Sequence, residues 1–371
     1  MTTEVGKTAL ITGASSGIGR ELATLFAKDG YNLVLVARSE DKLQDIAETL
    51  KQQFGTSLIT VIEKDLANPA APQEIYDEVV RQNITVNTLV NNAGFGEYGK
   101  FATETSLQKE LNVIQVNLTA LVHLTKLFLK DMVQRNEGRI LMLGSIASIM
   151  PNPMMAVYGA TKSFIYSFSE ALRNEVKDTN IAITVLMPPA TDTDFFNKAG
   201  ASDTIAQEQA RSMSPADVAK EGYDALMKGK DKAIAGFSTK MQAAAFRVLP
   251  DSMVSQTARA QMKTKTEAEQ DEKPSALALG IGLAAVAVAG IVIVALYKNA
   301  SVYDRVQAYS GWARYRYKAG KAVGSAQAAK NTVSTKADSV TRSVGHSVAS
   351  AADSVVGAYH NTKAQVERAL A

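Results

Sequence analysis

The sequence predicts a doubly wound α/β domain built on a parallel sheet, followed by one C-terminal transmembrane helix and a helical or disordered tail. Three observations carry this. Short, nearly continuous apolar runs alternate with amphipathic stretches through residues 8–187, as strands covered on both faces alternate with their helices. A glycine-rich turn, Gly13–Gly19, follows the first apolar run and opens the first amphipathic stretch. Finally, all nine prolines lie at or before Pro274 and all eleven phenylalanines at or before Phe246, and Ala276–Tyr297 is 22 residues without a charge.

Taken in order, Thr8–Thr12 (TALIT) is a strand ending at glycine, and Leu22, Leu25 and Phe26 give Ile18–Asp29 helical spacing. Leu33–Ala37 is a second strand, and Leu43, Ile46, Ala47 and Leu50 mark the helix after it. Leu58–Ile62, Thr88–Asn91, Arg139–Leu143 and Ile181–Met187 are further strands separated by helical patterns. Ser214-Pro215-Ala216-Asp217 starts another helix, with a capping hydroxyl and a proline in its first turn. The expected domains are 1–255 for the folded α/β unit, 256–275 for a linker, 276–297 for the transmembrane helix and 298–371 for the tail.

Composition removes several functions. Among 371 residues there is no cysteine, which excludes disulfides, thiol catalysis and thiolate-held metals. The three histidines, His123, His346 and His360, are far apart in sequence, so neither a metal site nor a Ser-His-Asp triad is expected. A formal net charge of +3 is too balanced for a nucleic-acid binder. That balance is uneven along the chain: residues 298–371 carry eleven Lys/Arg against four Asp/Glu.

Glycines in the first turn let the backbone bend sharply and approach a pyrophosphate, whose charge the amides at a helix N-terminus favour. Tyr158 and Lys162 are four residues apart, on one helical face. An ammonium beside a phenol favours the ionised form, so Lys162 is expected to lower the Tyr158 pKa. Ser145 can donate a hydrogen bond where negative charge develops on a substrate oxygen.

These residues occur in an order that resembles the short-chain dehydrogenase/reductase family, in the GxxxGxG form of its classical branch. The resemblance spans about residues 5–260. It rests on Gly13-Ala-Ser-Ser-Gly17-Ile-Gly19, Asn91-Asn92-Ala93-Gly94 after the fourth strand, Asn117 in the following helix, Ser145, and Tyr158-Gly-Ala-Thr-Lys162. Pro188-Pro189-Ala190-Thr191-Asp192-Thr193 stands where the family has PGxxxT; Pro189 replaces the usual glycine. The resemblance implies a Rossmann-like fold and hydride transfer between a nicotinamide and a carbonyl or alcohol. It makes Tyr158 the proton donor in reduction, Lys162 its tuner and a ribose contact, and Asn117 the holder of a proton-relaying water. It also implies cofactor contacts from Gly13, Ser15, Ser16, Gly17, Ile18, Gly19, Asn92, Ala93, Gly94, Tyr158, Lys162, Pro188, Thr191 and Thr193, with Asp65 and Leu66 at the adenine.

Cofactor choice is read after the second strand. An acidic residue there binds a ribose 2′-OH, whereas Arg38 and Ser39 suit a 2′-phosphate, so NADP(H) is expected. Residues 194–214 stand where the family has a variable substrate lid, and Phe195, Phe196 and Met213 could line an apolar pocket or pack on the lid's own core.

At ~1.5 Å per residue the 22-residue segment is long enough to span a bilayer. A buried or dimer-interface helix is the other reading. Tyrosines and Trp312 interleaved with Arg305, Arg314 and Arg316 suit a membrane boundary. The tail repeats small apolar residues every eleven positions (Ala322, Val333, Val344, Val355, Val366), a helix on a membrane or partner, or a disordered tail. The start of the sequence has no secretory-signal pattern, so a single-pass protein with a cytoplasmic catalytic domain is expected. Expected partners are a small carbonyl or alcohol substrate, membrane lipid and further copies of the chain, with no nucleic acid. The competing function is a membrane-tethered NADP(H)-binding scaffold or sensor without turnover.

Overall fold

The computed structural model describes residues 6–246, 249 and 251–270. The expected transmembrane segment, the tail and Trp312 lie outside them.

Six strands form where apolar runs predict them: β1 (Thr8–Thr12), β2 (Asn32–Ala37), β3 (Ile59–Glu63), β4 (Val86–Asn91), β5 (Gly138–Leu143) and β6 (Ile181–Met187). A seventh, β7 (Lys232–Ile234), was not expected. It is three residues long and opens on Lys232 after the charged Lys230-Asp231, so neither length nor pattern signals it. Among the described residues all seven are parallel, in the order β3-β2-β1-β4-β5-β6-β7.

Both faces are covered. On one side α1 (Gly17–Lys28), α2 (Glu40–Phe54) and α9 (Pro215–Met227) bury Leu22, Phe26, Leu43 and Leu226 against Ile11, Leu33 and Leu35. On the other lie α3 (Ala71–Arg81), α4 (Leu107–Ile114), α5 (Leu121–Arg135) and α6 (Ala156–Glu175), with Leu124, Phe128, Met132 and Ile165 packed on Leu10, Leu89 and Ile140. Between α4 and α5 the helix widens into a π segment, Gln115–Ala120, which carries Asn117. Among the described residues, Leu107–Arg135 is the one helical run long and apolar enough to cross a membrane. Leu121, Leu124, Phe128 and Met132 are buried against the sheet, as in a core helix.

Above the C-terminal strand ends sit α7 (Phe195–Ala199) and α8 (Ile205–Ala210), and after β7 come α10 (Phe237–Phe246), α11 (Asp251–Gln261) and α12 (Lys265–Gln270). Residues 256–265, within the stretch expected as linker, are instead docked on the domain. The Tyr98 hydroxyl donates to the Met262 carbonyl at 2.7 Å, Ile205 N donates to Lys263 O at 3.1 Å and Lys265 N to Asp203 O at 3.0 Å. Val254 and Ala258 are buried, so the backbone here spends its polar groups on the fold rather than on water.

Candidate active site

Strand order reverses at β1, which pairs with both β2 and β4, and a parallel sheet leaves its ligand crevice at such a switch point. A single cavity of about 1510 Å³ opens there, running from the glycine turn past Ser145 and Tyr158 to α8, α10 and α11.

Its first wall is the turn from β1 into α1. Gly13 has φ of +66°, and a Cβ there would lie 2.8 Å from Asn92 Nδ2. A Cβ on Gly19 would collide with the Gly13 carbonyl oxygen. The helix therefore starts hard against the strand end. Ser16, Gly17 and Ile18 line the cavity, and Ser16 leaves the helix N-terminus without a side-chain cap. Uncapped amides at the positive end of a helix suit a pyrophosphate, so these residues fit a dinucleotide.

Thr12 fixes that wall, a role the sequence did not reveal. Its Oγ1 donates to Val90 O at 3.2 Å and accepts from Asn92 N and Ala93 N, each at 3.0 Å. Asn92 Nδ2 donates to Thr12 O at 2.8 Å and Gly13 O at 3.2 Å. Asn92 borders the cavity as expected, but its amide ties the ends of β1 and β4 together.

The adenine end is polar and open. Arg38 and Ser39 follow β2, exposed and on the cavity wall, with Lys42 one turn into α2 beside them. Asp65 Oδ1 accepts from Ala67 N at 2.9 Å, and buried Leu66 lies behind it.

The centre is built by three segments. Ser145 lies two residues beyond the end of β5 and caps a 3-10 turn, Ile146–Ile149. Its Oγ accepts from Ala147 N at 3.1 Å, and Ile146 N donates to Pro188 O at 2.9 Å. Tyr158 and Lys162 project from α6. The Tyr158 phenol is hydrogen-bonded to the Ser145 hydroxyl. Lys162 Nζ donates to Leu143 O at 2.7 Å and lies 5.6 Å from the Tyr158 ring centroid.

Electrostatics here overturn one sequence expectation. Burial pushes the Tyr158 phenol up to about 12, opposed by the bond from Ser145. The same burial pushes Lys162 down to about 8. Desolvation penalises the charged form of both groups, and Lys162 does not lower the phenol's pKa as its spacing suggested. Tyr158 is thus a neutral hydroxyl at physiological pH, the state that gives a proton.

Asn117, alone among the expected site residues, does not line the cavity. It is buried, donates through Nδ2 to Phe95 O at 2.9 Å and Thr161 Oγ1 at 3.1 Å, and accepts from Phe95 N at 3.1 Å. Thr161 in turn donates to Tyr158 O at 2.7 Å. The Asn117 side chain therefore ties the chain after β4 to the Tyr158 helix.

Pro188, Thr191 and Thr193 line the cavity. Thr191 Oγ1 donates to Pro189 O at 2.9 Å, and Thr193 packs over the turn, 3.0 Å from where a Gly17 Cβ would stand. The lid meets both expectations at once. Phe195, Phe196 and Met213 line the cavity, while Phe196 also packs on Met155, Ala199 and Ala206 in the lid's own cluster. The Phe195 ring lies 5.0 Å from that of Tyr158. The contribution of α10 and α11 to the far wall was not foreseen.

Comparison with known proteins agrees with this geometry. A short chain dehydrogenase family model matches residues 7–204. Mouse 17-beta-hydroxysteroid dehydrogenase type 3 is 36% identical over 193 residues, 51% of this chain and 61% of that protein. Rat very-long-chain 3-oxoacyl-CoA reductase is 32% identical over 189 residues, 50% of this chain and 59% of that one. The chain thus spans about three-fifths of the length of these relatives. A short-chain dehydrogenase from Sphingobium yanoikuyae in complex with NADPH superposes with a TM-score of 0.59 at 27% identity, covering 72% of this chain and 97% of that one. With the glycine turn, the serine and the tyrosine–lysine pair converging on one cavity, the chain belongs to the short-chain dehydrogenase family.

Proposed function

We propose that the protein is an NADP(H)-dependent oxidoreductase that interconverts a carbonyl and an alcohol on an apolar substrate at a membrane. One observation carries this: Ser145, Tyr158 and Lys162 meet at the middle of a cavity that is continuous with the glycine turn. A nicotinamide cofactor, when bound, supplies or accepts the hydride. The Tyr158 hydroxyl delivers the proton to the carbonyl oxygen, and Ser145 holds that oxygen by a hydrogen bond. Lys162, held beside the phenol by its bond to Leu143 O, would bond the ribose of a bound cofactor; Asn117 and Thr161 tie α6 to the chain after β4.

Arg38 and Ser39 at the mouth support the phosphorylated cofactor, as does the NADPH complex of the Sphingobium relative. The uncharged segment Ala276–Tyr297 supports single-pass attachment with residues 1–255 on the cytoplasmic side. An apolar face on the paired helices α4 and α6, with Leu107, Leu111, Ile114 and Phe164 exposed, supports self-association.

The test is a screen of ketones, aldehydes and alcohols with NADPH, NADH and their oxidised forms, on the unmodified protein and on Tyr158→Phe. Turnover abolished by the substitution with NADPH still bound is expected. Tight NADPH binding without any turnover would favour the scaffold instead. Full activity of Tyr158→Phe would remove the mechanism.

A further inference from the structure

A glycine beside the catalytic tyrosine is required by space rather than by its backbone. Gly96 is buried, and its φ lies outside the left-handed region, unlike Gly13 and Gly17 at +66° and +54°. Alanine could therefore adopt this backbone; what excludes a side chain is the room around it. A Cβ at Gly96 would stand 2.5 Å from Met155 Cε, 3.2 Å from Phe195 Cζ and 3.3 Å from Tyr158 Cδ2. Three segments thus converge on one Cα: the residue before α6, the first residue of α7 and the proton donor itself. Met155, Phe195 and Tyr158 all line the cavity, whereas Gly96 does not.

The main chain at Gly96 is pinned on both sides. Before it, Asn117 Nδ2 donates to Phe95 O at 2.9 Å and Asn117 Oδ1 accepts from Phe95 N at 3.1 Å. After it, Tyr98 N donates to Ala199 O at 2.9 Å and Gly99 N to Met154 O at 2.8 Å. Room for an added methyl must therefore come from the three facing side chains. The main chain of Met155 is itself fixed, its N donating to Asn152 O at 3.2 Å and its O accepting from Gly159 N at 2.9 Å. Its side chain is 1% exposed and packs with Phe196, Ala199 and Ala206, with Phe195 and Tyr158 against the same cluster. The thioether end is the part that can yield, and every way it can turn meets the lid or the Tyr158 ring.

We infer that Gly96 is a positioning residue: by carrying no side chain it lets Met155 and Phe195 close on the Tyr158 ring and hold the phenol at Ser145. A methyl group there would shift that ring, and the hydroxyl at its far end would move with it. Proton transfer falls steeply with such misplacement, whereas the glycine turn that suits the dinucleotide is untouched. This inference rests on the oxidoreductase reading above.

The test compares Gly96→Ala and Met155→Val, singly and together, in the full-length protein with NADPH and two probe ketones, 2-decanone and acetophenone. In Gly96→Ala, kcat should fall about 10–10²-fold, with NADPH affinity by nucleotide fluorescence within about threefold. Met155→Val shortens the side chain nearest the added methyl, so the double variant should recover kcat to within about threefold of Met155→Val alone. In NMR spectra of isotope-labelled methionine methyls, the Met155 resonance should shift in Gly96→Ala, because the methyl moves relative to the Phe195 and Tyr158 rings. Unchanged kcat in Gly96→Ala, even with a lowered Tm, makes the glycine a packing residue only and overturns the inference. So does a loss that Met155→Val fails to relieve, or an unmoved Met155 resonance; each of these leaves the oxidoreductase reading standing. Absence of hydride transfer to both probes and to every carbonyl of the screen above, with NADPH bound, overturns both.

Discussion

The two ends of the cavity are built on different principles. At the cofactor end, Thr12, Asn92, Gly13 and Gly19 are interlocked by backbone-directed bonds of about 3 Å and by contacts that admit no Cβ. At the substrate end, the described residues of the lid and the C-terminal helices are joined by bonds of Ile205 to Lys263 and Lys265 to Asp203 and by the exposed Lys265–Glu208 ion pair, with Tyr98 bonded to Met262. A dinucleotide needs particular amides at fixed points, so its wall cannot vary by even a methyl group. A substrate wall needs shape and polarity, which a helix face supplies whatever its exact seating. Damage at the first end should therefore act through cofactor and chemistry, and at the second through substrate affinity alone.

Tyr158→Phe tests the centre where the two ends meet, and has the largest expected effect. Loss of the proton donor should lower kcat about 10²–10⁴-fold while NADPH affinity stays within about threefold. Stopped-flow hydride transfer and nucleotide fluorescence separate the two. A matching loss of NADPH affinity would show that the ring is part of the cofactor wall.

Lys162→Met should likewise abolish turnover, yet stabilise the fold. The lysine is driven down to about 8 by burial, so below that pH the folded protein holds a cation it disfavours, and the unfolded chain, with a pKa of ~10.4, does not. The depressed value means that this group's contribution to stability is present above the unfolded pKa and lost as pH falls through about 8. At pH 7 the penalty removed is about 3 kcal/mol, offset by about 1 kcal/mol for the lost bond to Leu143 O. Tm should exceed that of the unmodified protein at pH 7, and the advantage should vanish near pH 10. A lower Tm throughout would show that the lysine's bonds outweigh its desolvation.

Gly19→Ala strikes the tightest contact of the cofactor wall. The methyl meets the Gly13 carbonyl, and overpacking of this kind costs about 1–3 kcal/mol. Both Tm and NADPH affinity should fall, the latter about tenfold or more by titration. Unchanged NADPH affinity would mean that the turn is not the pyrophosphate site.

Arg38→Asp sharpens the same end without touching its shape. One charge-assisted contact corresponds to about tenfold in affinity, so the NADPH-over-NADH preference should reverse. Equal binding of both cofactors by the unmodified protein would place the guanidinium elsewhere.

Tyr98→Phe is the mildest. It removes the hydroxyl that holds Met262 O, worth about 1 kcal/mol. KM should rise about fivefold with kcat and NADPH affinity unchanged; a fall in NADPH affinity would show that the two ends are mechanically coupled.

Much of the first end was legible. The apolar runs of β1, β2 and β6 and the spacing of Gly13, Gly17 and Gly19 are properties of neighbouring residues. So is the pairing of Tyr158 with Lys162 on one helical face. Arg38 follows directly from its position after β2. Little of the second end was legible. The glutamine-bearing faces of α10 and α11 look like ordinary solvent faces until they are seen to close a cavity, and β7 is too short to show a period. The stretch after residue 255 reads as polar linker because its partners, Tyr98 and Asp203, lie far away in sequence.

By itself, then, the sequence determined the parallel α/β layering, the phosphate-binding turn and the set of reactive groups, all written in short-range spacing. Only the tertiary structure decided their working states. Asn117, expected to hold a proton-relaying water, bonds through its side chain to Phe95 and Thr161, segments that only the fold brings to it. The Tyr158 phenol is pushed up to about 12 rather than lowered, because its half-buried ring packs among Met155, Phe195 and Phe196. Desolvation depends on how closely distant segments approach, and that distance is not a property of any one segment.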